Sequence, residues 1–247
     1  MKKKKINLAL VAARKGSKGV KNKNLLNIKN KSITKIAVNI AVKLKKINNV
    51  ILSSDSQKIL DTVPNNKKLI KLKRKKYLAR DKTPMLPVMY DAINYFEKFF
   101  NYKYLVNNLV IIDPTSPLRN TSDIYKAIKL FNKKKPDLLV SAHDAQHNPY
   151  FSILEKKGRF YKLSKALKQD PGSRQEAPKT YDINTIVWIY SRKAVMKIKK
   201  RIPKKTIMFK TPKERSIDID NQNDINLINF YLKNKNNDKK NIQFKSI

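Results

Sequence analysis

The residues best placed to do chemistry lie near the two ends of the chain. Close to the start, ARKGSKGVKNKN runs from Ala13 to Asn24. It holds Arg14, Lys18 and Lys23, the hydroxyl of Ser17, the amide of Asn24, and Gly16 and Gly19, two of the chain's four glycines. Cationic side chains on a glycine-bearing loop after a strand offer charge and backbone N–H groups to a phosphate. Close to the end, SIDID from Ser216 to Asp220 sets Asp218 and Asp220 two residues apart. If that segment is extended, Ile217 and Ile219 face a core and the two carboxylates share the opposite face, about 6.5–7 Å apart along the strand. Such a pair repels itself unless a cation lies between, and oxygen-only ligands suit Mg2+ or Mn2+. Each segment has a plainer alternative. The first is a basic turn without the GxxxxGK spacing of a P-loop, and in the second Asp220 or Asn221 merely caps the helix that follows.

Two further segments carry candidate groups. In IIDPTSPLRNTSDI, Pro114 and Pro117 fix a rigid turn at the C-terminal end of a strand, the edge at which open α/β sheets bind ligands. In SRQEAPKTYDIN, from Ser173 to Asn184, Arg174 can hold a carboxylate through two parallel bonds. Gln175, Tyr181 and Asn184 can serve the hydroxyls or amides of an acidic sugar. His143 and His147 lie four apart, but their segment follows a strand and ends at Pro149 with no third ligand evident, so a zinc site is not expected.

The elements that must position these groups alternate. Ile6–Ala12, Val50–Ser53, Lys68–Leu72, Leu105–Ile112 and Leu138–Ala142 read as short buried strands. Between them, Ile33 to Leu44, the stretch around Val88, Ala92, Ile93 and Phe96, and Ile124 to Phe131 behind a cap at Thr121 recur at helical spacing. Alternation of this kind predicts an α/β fold with a mostly parallel sheet flanked by helices. After Pro149 the pattern changes. A hairpin from Tyr150 to Leu163 around Lys157 and Gly158, then a strand from Ile183 to Tyr190, suggest a smaller antiparallel element over about 150–190. A closing helix from Asp224 to Leu232 completes one domain over 1–232, and 233–247 reads as a basic, frayed tail.

Composition sets outer limits. The 247 residues suit one α/β domain, and the absence of cysteine removes disulfides, thiolate metal sites and thiol nucleophiles. The net charge of +39 is almost all lysine and is spread along the whole chain together with abundant asparagine and isoleucine. Nucleic-acid binders gather cations on one face or interleave them with stacking aromatics. Specific nucleic-acid binding is therefore not expected, although a basic nucleic-acid-binding protein is kept as the alternative from another class. The start, MKKKK before an apolar run, imitates a secretory signal, but the run is short, contains Asn7 and meets Arg14 and Lys15. The expectation is a cytoplasmic protein with no membrane partner, since no stretch approaches the roughly 18 apolar residues of a span.

Taken in order, ARKGSKGVKNKN, PTSPLR, RQEAP leading to Asn184, and SIDID with its helix resemble the acylneuraminate cytidylyltransferases, or CMP-sialic acid synthetases, over Ile6 to about Leu232. The resemblance implies a Rossmann-like nucleotidyltransferase fold, usually dimeric. The implied reaction joins a nine-carbon 2-keto sugar acid to CMP from CTP, with release of pyrophosphate and dependence on Mg2+. It also implies that Arg14, Gly16, Ser17, Lys18, Gly19, Lys23 and Asn24 form the CTP loop and that Arg74 contacts the nucleotide. Asp218 and Asp220 would hold the metal, and Arg174, Gln175, Tyr181 and Asn184 would serve the sugar acid. Arg14, Lys23 and Asp220 would be the catalytic groups, with Asp220 accepting or relaying a proton. GVKNKN, DKTPMLPVMYDA and HNPYF look closest to the branch acting on legionaminic acid. Asp113 stands where sialic acid enzymes have a glutamine that meets the sugar, and Thr185 stands where a glycine or alanine is common. A 3-deoxy-octulosonate-type cytidylyltransferase is the alternative within the same chemistry.

Overall fold

The structure is a computed structural model that describes residues 3–17 and 19–243, with side chains described as far as Asn234. The first strand, β1 (Lys4–Ala12), buries Leu8, Ala9, Leu10 and Val11 completely. Burial on both faces is what a central strand needs when helices cover a sheet from either side. The loop after β1 ends in a two-stranded ribbon, β2 (Asn27–Ile28) and β3 (Lys31–Ser32). Helix α1 (Ile33–Lys43) begins where the Ser32 hydroxyl accepts a hydrogen bond from the Lys35 N–H at 3.1 Å, satisfying one otherwise free donor of the first turn. There follow β4 (Asn49–Ser54), α2 (Gln57–Asp61), β5 (Leu69–Lys73), α3 (Met85–Phe99), β6 (Tyr104–Ile111), α4 (Thr121–Lys134) and β7 (Leu138–Asp144). A hairpin of β8 (Leu154–Lys157) and β9 (Phe160–Leu163) turns at Gly158, whose φ of 64° a side chain would strain. The chain then forms β10 (Tyr181–Ser191), β11 (Thr206–Lys210) and α5 (Gln222–Gln243).

Seven strands make the main sheet in the order β11-β7-β10-β6-β1-β4-β5. Only β10 runs antiparallel to its neighbours β6 and β7. The mostly parallel sheet flanked by helices predicted from the sequence is thus the observed architecture. From β1 the chain builds outwards through β4 and β5, then returns to place β6 on the other side of β1. The loops after β1 and β6 consequently part from each other, leaving a crevice at the C-terminal ends of the strands where such sheets bind ligands.

Three apolar clusters hold the fold. One packs α1, α2 and α4 on one face through residues such as Val38, Ile59 and Phe131. A second packs α3 on the other face through Ala92, Ile93 and Phe96 against Leu8, Leu10 and Leu109. The third is small and lies beneath the crevice: Ile28, Ile33, Ile219, Ile225 and Ile228, joined by Val20, Leu118 and Ile217. It draws together the β1 loop, the turn after β6 and the segment before α5, which are far apart in sequence. Burying each fully enclosed isoleucine contributes about 1.5–3 kcal/mol, so a few side chains suffice to fix that junction.

Several expectations need correction. The N-cap of α4 is Asn120, not Thr121: its side chain accepts from the Asp123 N–H while Asp123 accepts from the Asn120 N–H, the reciprocal pair of a capping box. SIDID is not a strand: the Ile219 N–H donates to the Thr115 carbonyl, at 3.0 Å, in the turn after β6. The first hairpin strand starts at Leu154 and not at Tyr150, and β10, expected within the smaller element, lies inside the main sheet. Strand β11 lies outside the expected set. Its TIMFK core is short and stands among lysines and prolines, and it is recruited by parallel pairing with β7. Helix α5 begins at Gln222 and continues to Gln243, through part of the segment expected to fray. That stretch holds no proline or glycine to stop it. Among the described residues no helix is long and apolar enough to cross a membrane.

Candidate active site

The loop after β1 is braced by hydrogen bonds within itself, to α1 and to the residue after β4. The Asn24 amide donates to the Arg14 carbonyl at 2.8 Å, the Thr34 hydroxyl donates to the Asn24 carbonyl at 2.7 Å, and the Lys15 N–H donates to Asp55 at 2.8 Å. Arg14, Gly16, Ser17, Lys23 and Asn24 thereby line one cleft of about 220 Å³, with Arg74 and Asp113 opposite. Lys18, an expected member of this loop, lies outside the described residues. Gly16 does not adopt a left-handed conformation, and a Cβ there would meet only ordinary contact. Gly19 is different: a Cβ would collide with the backbone carbonyl of Asp220. The absence of a side chain at Gly19 lets the β1 loop lie directly against the segment before α5.

Arg74 follows β5 and is buried. Its Nε donates to the Ser53 hydroxyl at 3.0 Å and its Nη2 to the Ser53 carbonyl at 2.7 Å. Burial lowers its pKa to about 10, with Asp55 opposing the shift, so it stays cationic at neutral pH. Asp113 stands just past β6 and accepts from both the N–H and the hydroxyl of Thr115, at 3.1 and 3.0 Å.

The two aspartates of SIDID share the junction but not an environment. Asp218 accepts hydrogen bonds from the hydroxyls of Ser116 and Thr185. Desolvation raises its carboxyl pKa, the hydroxyl bonds oppose this, and the negative charge of Asp113 adds to the rise. Thr185 reaches Asp218 because the pairing of β10 with β7 shifts register between Ile183 and Trp188, a bulge that re-aims side chains. Asp220 is exposed and lies 3.0 Å from the Lys23 ammonium. It does not cap α5. Asn221 does, accepting from the Asp224 N–H at 3.2 Å while Asp224 accepts from the N–H groups of Asp220 and Asn221 at 2.7 and 2.8 Å. Arg215 clamps the approach to SIDID by two bonds to the buried Asp123 of α4, at 2.7 and 3.1 Å.

These carboxylates fit a small divalent cation. Their oxygens are hard donors, and the repulsion between Asp113 and Asp218 is the kind of strain a cation removes. Among the described residues no cluster of three or more acidic, histidine or cysteine groups forms a complete cage. A magnesium ion needs none, since it keeps waters and takes further oxygens from substrate phosphates.

The expected sugar-acid residues are divided by the structure. Asp113 lines both the cleft and an adjoining apolar pocket of about 310 Å³, whose walls include Met85, Met89, Thr185, Trp188 and Tyr190. Arg174, Gln175 and Tyr181 line a separate depression with Asn148, Lys179 and Lys210, sharing no residue with either. The Arg174 guanidinium there donates to the carbonyls of Ala145 and Gln146, at 3.0 and 2.7 Å. Asn184 lines none of these openings. It is buried, donates to Thr211 at 2.9 Å and Ser216 at 3.1 Å, and accepts from the Ile186 N–H, so it braces β10 against the approach to SIDID. Ser116 and Arg119 of PTSPLR are site residues that sequence reasoning misses, although both stand in a quoted motif. Arg119 is buried beneath the site, donates to the carbonyls of Ser116, Asp113 and Thr185, and has its pKa lowered to about 10 by desolvation against the pull of Asp113 and Asp218.

Comparison with known proteins bears on the family and the fold. A family model described as "Cytidylyltransferase" matches residues 8–240. A CMP-N,N'-diacetyllegionaminic acid synthase of Campylobacter jejuni is 32% identical over 93% of this chain and 96% of its own. A post-translational flagellin modification protein B of Campylobacter coli is 31% identical with the same coverage. Among solved structures, a CMP:2-keto-3-deoxy-manno-octonic acid synthetase complexed with CTP superposes over 93% of this chain and 99% of its own, with a TM-score of 0.65 at 11% identity. At that identity the likeness is one of fold.

Proposed function

Since the chain belongs to the cytidylyltransferase family, we propose that it activates a nonulosonic acid of the legionaminic or sialic type, joining it to CMP from CTP with release of pyrophosphate. The observation that carries this reading is the junction of the β1 loop with the segment before α5. The cationic cradle lines the cleft together with Asp113, and Gly19 and Lys23 tie it to Asp220 of the acidic pair. The relative from Campylobacter jejuni, named for legionaminic acid, supports the choice of sugar.

In this reading the nucleoside lies towards Arg74 and the triphosphate along Arg14, Gly16, Ser17 and Lys23. Asp218 and Asp220 would hold Mg2+, which supplies charge neutralisation for the triphosphate and its departing pyrophosphate. Arg14 and Lys23 serve the same developing charge from the protein side. The sugar acid occupies the apolar pocket beside Asp113, whose carboxylate accepts from sugar hydroxyls or amides while Met89 and Trp188 shelter its acyl groups. The anomeric oxygen bonds to the α-phosphorus as the bond from that phosphorus to the bridging oxygen breaks. The hydroxyl proton passes to Asp220, which is exposed enough to hand it to water.

Arg174 enters this scheme through a second copy of the chain. Its depression is separate from the cleft of its own protomer. The nearby Phe151, Leu154, Phe160 and Tyr161 are exposed apolar side chains, which suit self-association. A homodimer built on that face would bring Arg174 to the sugar carboxylate bound by its partner.

The test is pyrophosphate release with CTP and Mg2+ over a panel of acids. Release with a nonulosonic acid supports the reading. Release with 3-deoxy-octulosonate alone favours the eight-carbon alternative, and no release with any acid overturns both.

A further inference from the structure

The turn from Ala79 to Thr83 faces the β1 loop across the mouth of the cleft and carries a guanidinium that the motifs did not single out. Arg80 lines the inner cleft with Arg14, Lys23 and Arg74, and also an outer opening with Arg14, Lys15 and Lys21. Four residues belong to both openings, Arg14, Gly16, Ser17 and Arg80, and Arg80 alone comes from outside the β1 loop.

The turn that carries it is anchored. Asp81 pairs with Arg14, the Thr83 N–H donates to the Arg80 carbonyl at 3.0 Å, and the Thr83 hydroxyl donates to the Tyr77 carbonyl at 2.9 Å. The other cations of the inner cleft arrive with partners: Arg14 on Asp81, Lys23 on Asp220 and Arg74 on Ser53. The exposed Arg80 side chain makes no hydrogen bond or ion pair among the described residues. All five of its donors are therefore open to a ligand, in the fork geometry that matches phosphate oxygens.

We propose that Arg80 is a substrate-contacting residue that grips the β- and γ-phosphates of CTP from the side opposite the β1 loop. The proposal rests on the reading of this cleft as the CTP site. Its direction follows from the walls. The inner cleft contains the apolar Leu78, Met85 and Val88, suited to a nucleoside, whereas the outer opening is lined by Lys15, Lys21, Asp55 and Asp81 as well as Arg80. A triphosphate bound along the loop runs outwards past Arg80. The Arg14–Asp81 pair fixes the distance between the two jaws, and Arg80 closes them on the terminal phosphates.

Calorimetric titration of CTP and of CMP into wild type, Arg80→Ala and Lys82→Ala tests this. Lys82 carries the same charge two residues along and lines neither opening. Loss of a charge-assisted phosphate contact weakens CTP binding by about 10- to 100-fold. The expected result is that loss in Arg80→Ala only, with CMP affinity unchanged and partial recovery in Arg80→Lys. Equal effects of Arg80→Ala and Lys82→Ala, or equal losses for CTP and CMP, would overturn the role of Arg80 while leaving the CTP site standing. Failure of the wild-type protein to bind CTP would overturn the site and the role together.

Discussion

The Lys23 ammonium lies 3.0 Å from an Asp220 carboxylate oxygen, joining the loop after β1 to the segment before α5 across 197 residues of sequence. Asp220 is exposed, so the pair adds only about 0–1 kcal/mol to stability. Its value lies in what it brings together. Asp220→Asn is expected to leave the melting temperature nearly unchanged and metal-free CTP affinity only mildly altered, while turnover falls by at least about 10²–10³-fold. Steady-state kinetics beside a thermal melt would show the separation.

Gly19→Ala presses a methyl group against the Asp220 carbonyl. Overpacking of this kind costs about 1–3 kcal/mol, and the strain falls where the loop meets the acidic pair. The expected outcome is a folded protein with lower kcat/KM for CTP, read by circular dichroism together with initial rates. Gly16→Ala, which meets only ordinary contact within the chain, serves as the comparison for folding and should melt close to wild type.

Asp218 gives a pH-dependent signature in metal-free protein. Its folded pKa is raised above 3.8 by desolvation and by Asp113, so the folded state binds its proton more readily than the unfolded chain. The stability linked to that proton is fully present below 3.8 and is lost as pH rises through the folded pKa. Asp218→Asn removes the desolvated charge, so it should melt higher than wild type at pH 7 in the presence of a chelator. The gain should shrink as pH falls towards 3.8, although turnover by the variant is expected to be lost throughout.

How much of this was legible beforehand depends on how local the cause is. The strands from Ile6, Val50 and Leu105 and the helix through Ile124 were readable because apolar periodicity is a local property, and the motifs marked Arg14, Lys23, Asp218 and Asp220. The cap at Asn120 was missed by one residue, since Asn, Thr and Ser in succession all make acceptable caps. The distinct surroundings of Asp218 and Asp220 were hidden because they depend on Ser116, Thr185 and Lys23, which other elements deliver. Asn184 has the side chain of a ligand-binding residue, and only its contacts with Thr211 and Ser216 reveal a brace.

The separation of Arg174 from the cleft leads to a complementation experiment. Arg174→Ala alone should raise the KM for the sugar acid far more than that for CTP. If a partner protomer supplies Arg174, mixing the inactive Asp218→Asn protein with the impaired Arg174→Ala protein creates sites with both groups intact. Up to about a quarter of wild-type activity per total protein is then expected from random exchange in a two-fold dimer. No recovery after demonstrated subunit exchange would place Arg174 and Asp218 in the same protomer's site, or Arg174 outside the reaction.

The most direct measurement of the central claim is Mn2+ binding, followed by paramagnetic resonance, with and without CTP. A cradle and an acidic pair that clamp one nucleotide through a divalent ion predict that CTP sharply tightens Mn2+ binding to wild type. They also predict that Asp218→Asn and Asp220→Asn each abolish the increment. Mn2+ bound equally well by both variants in the presence of CTP would contradict the account.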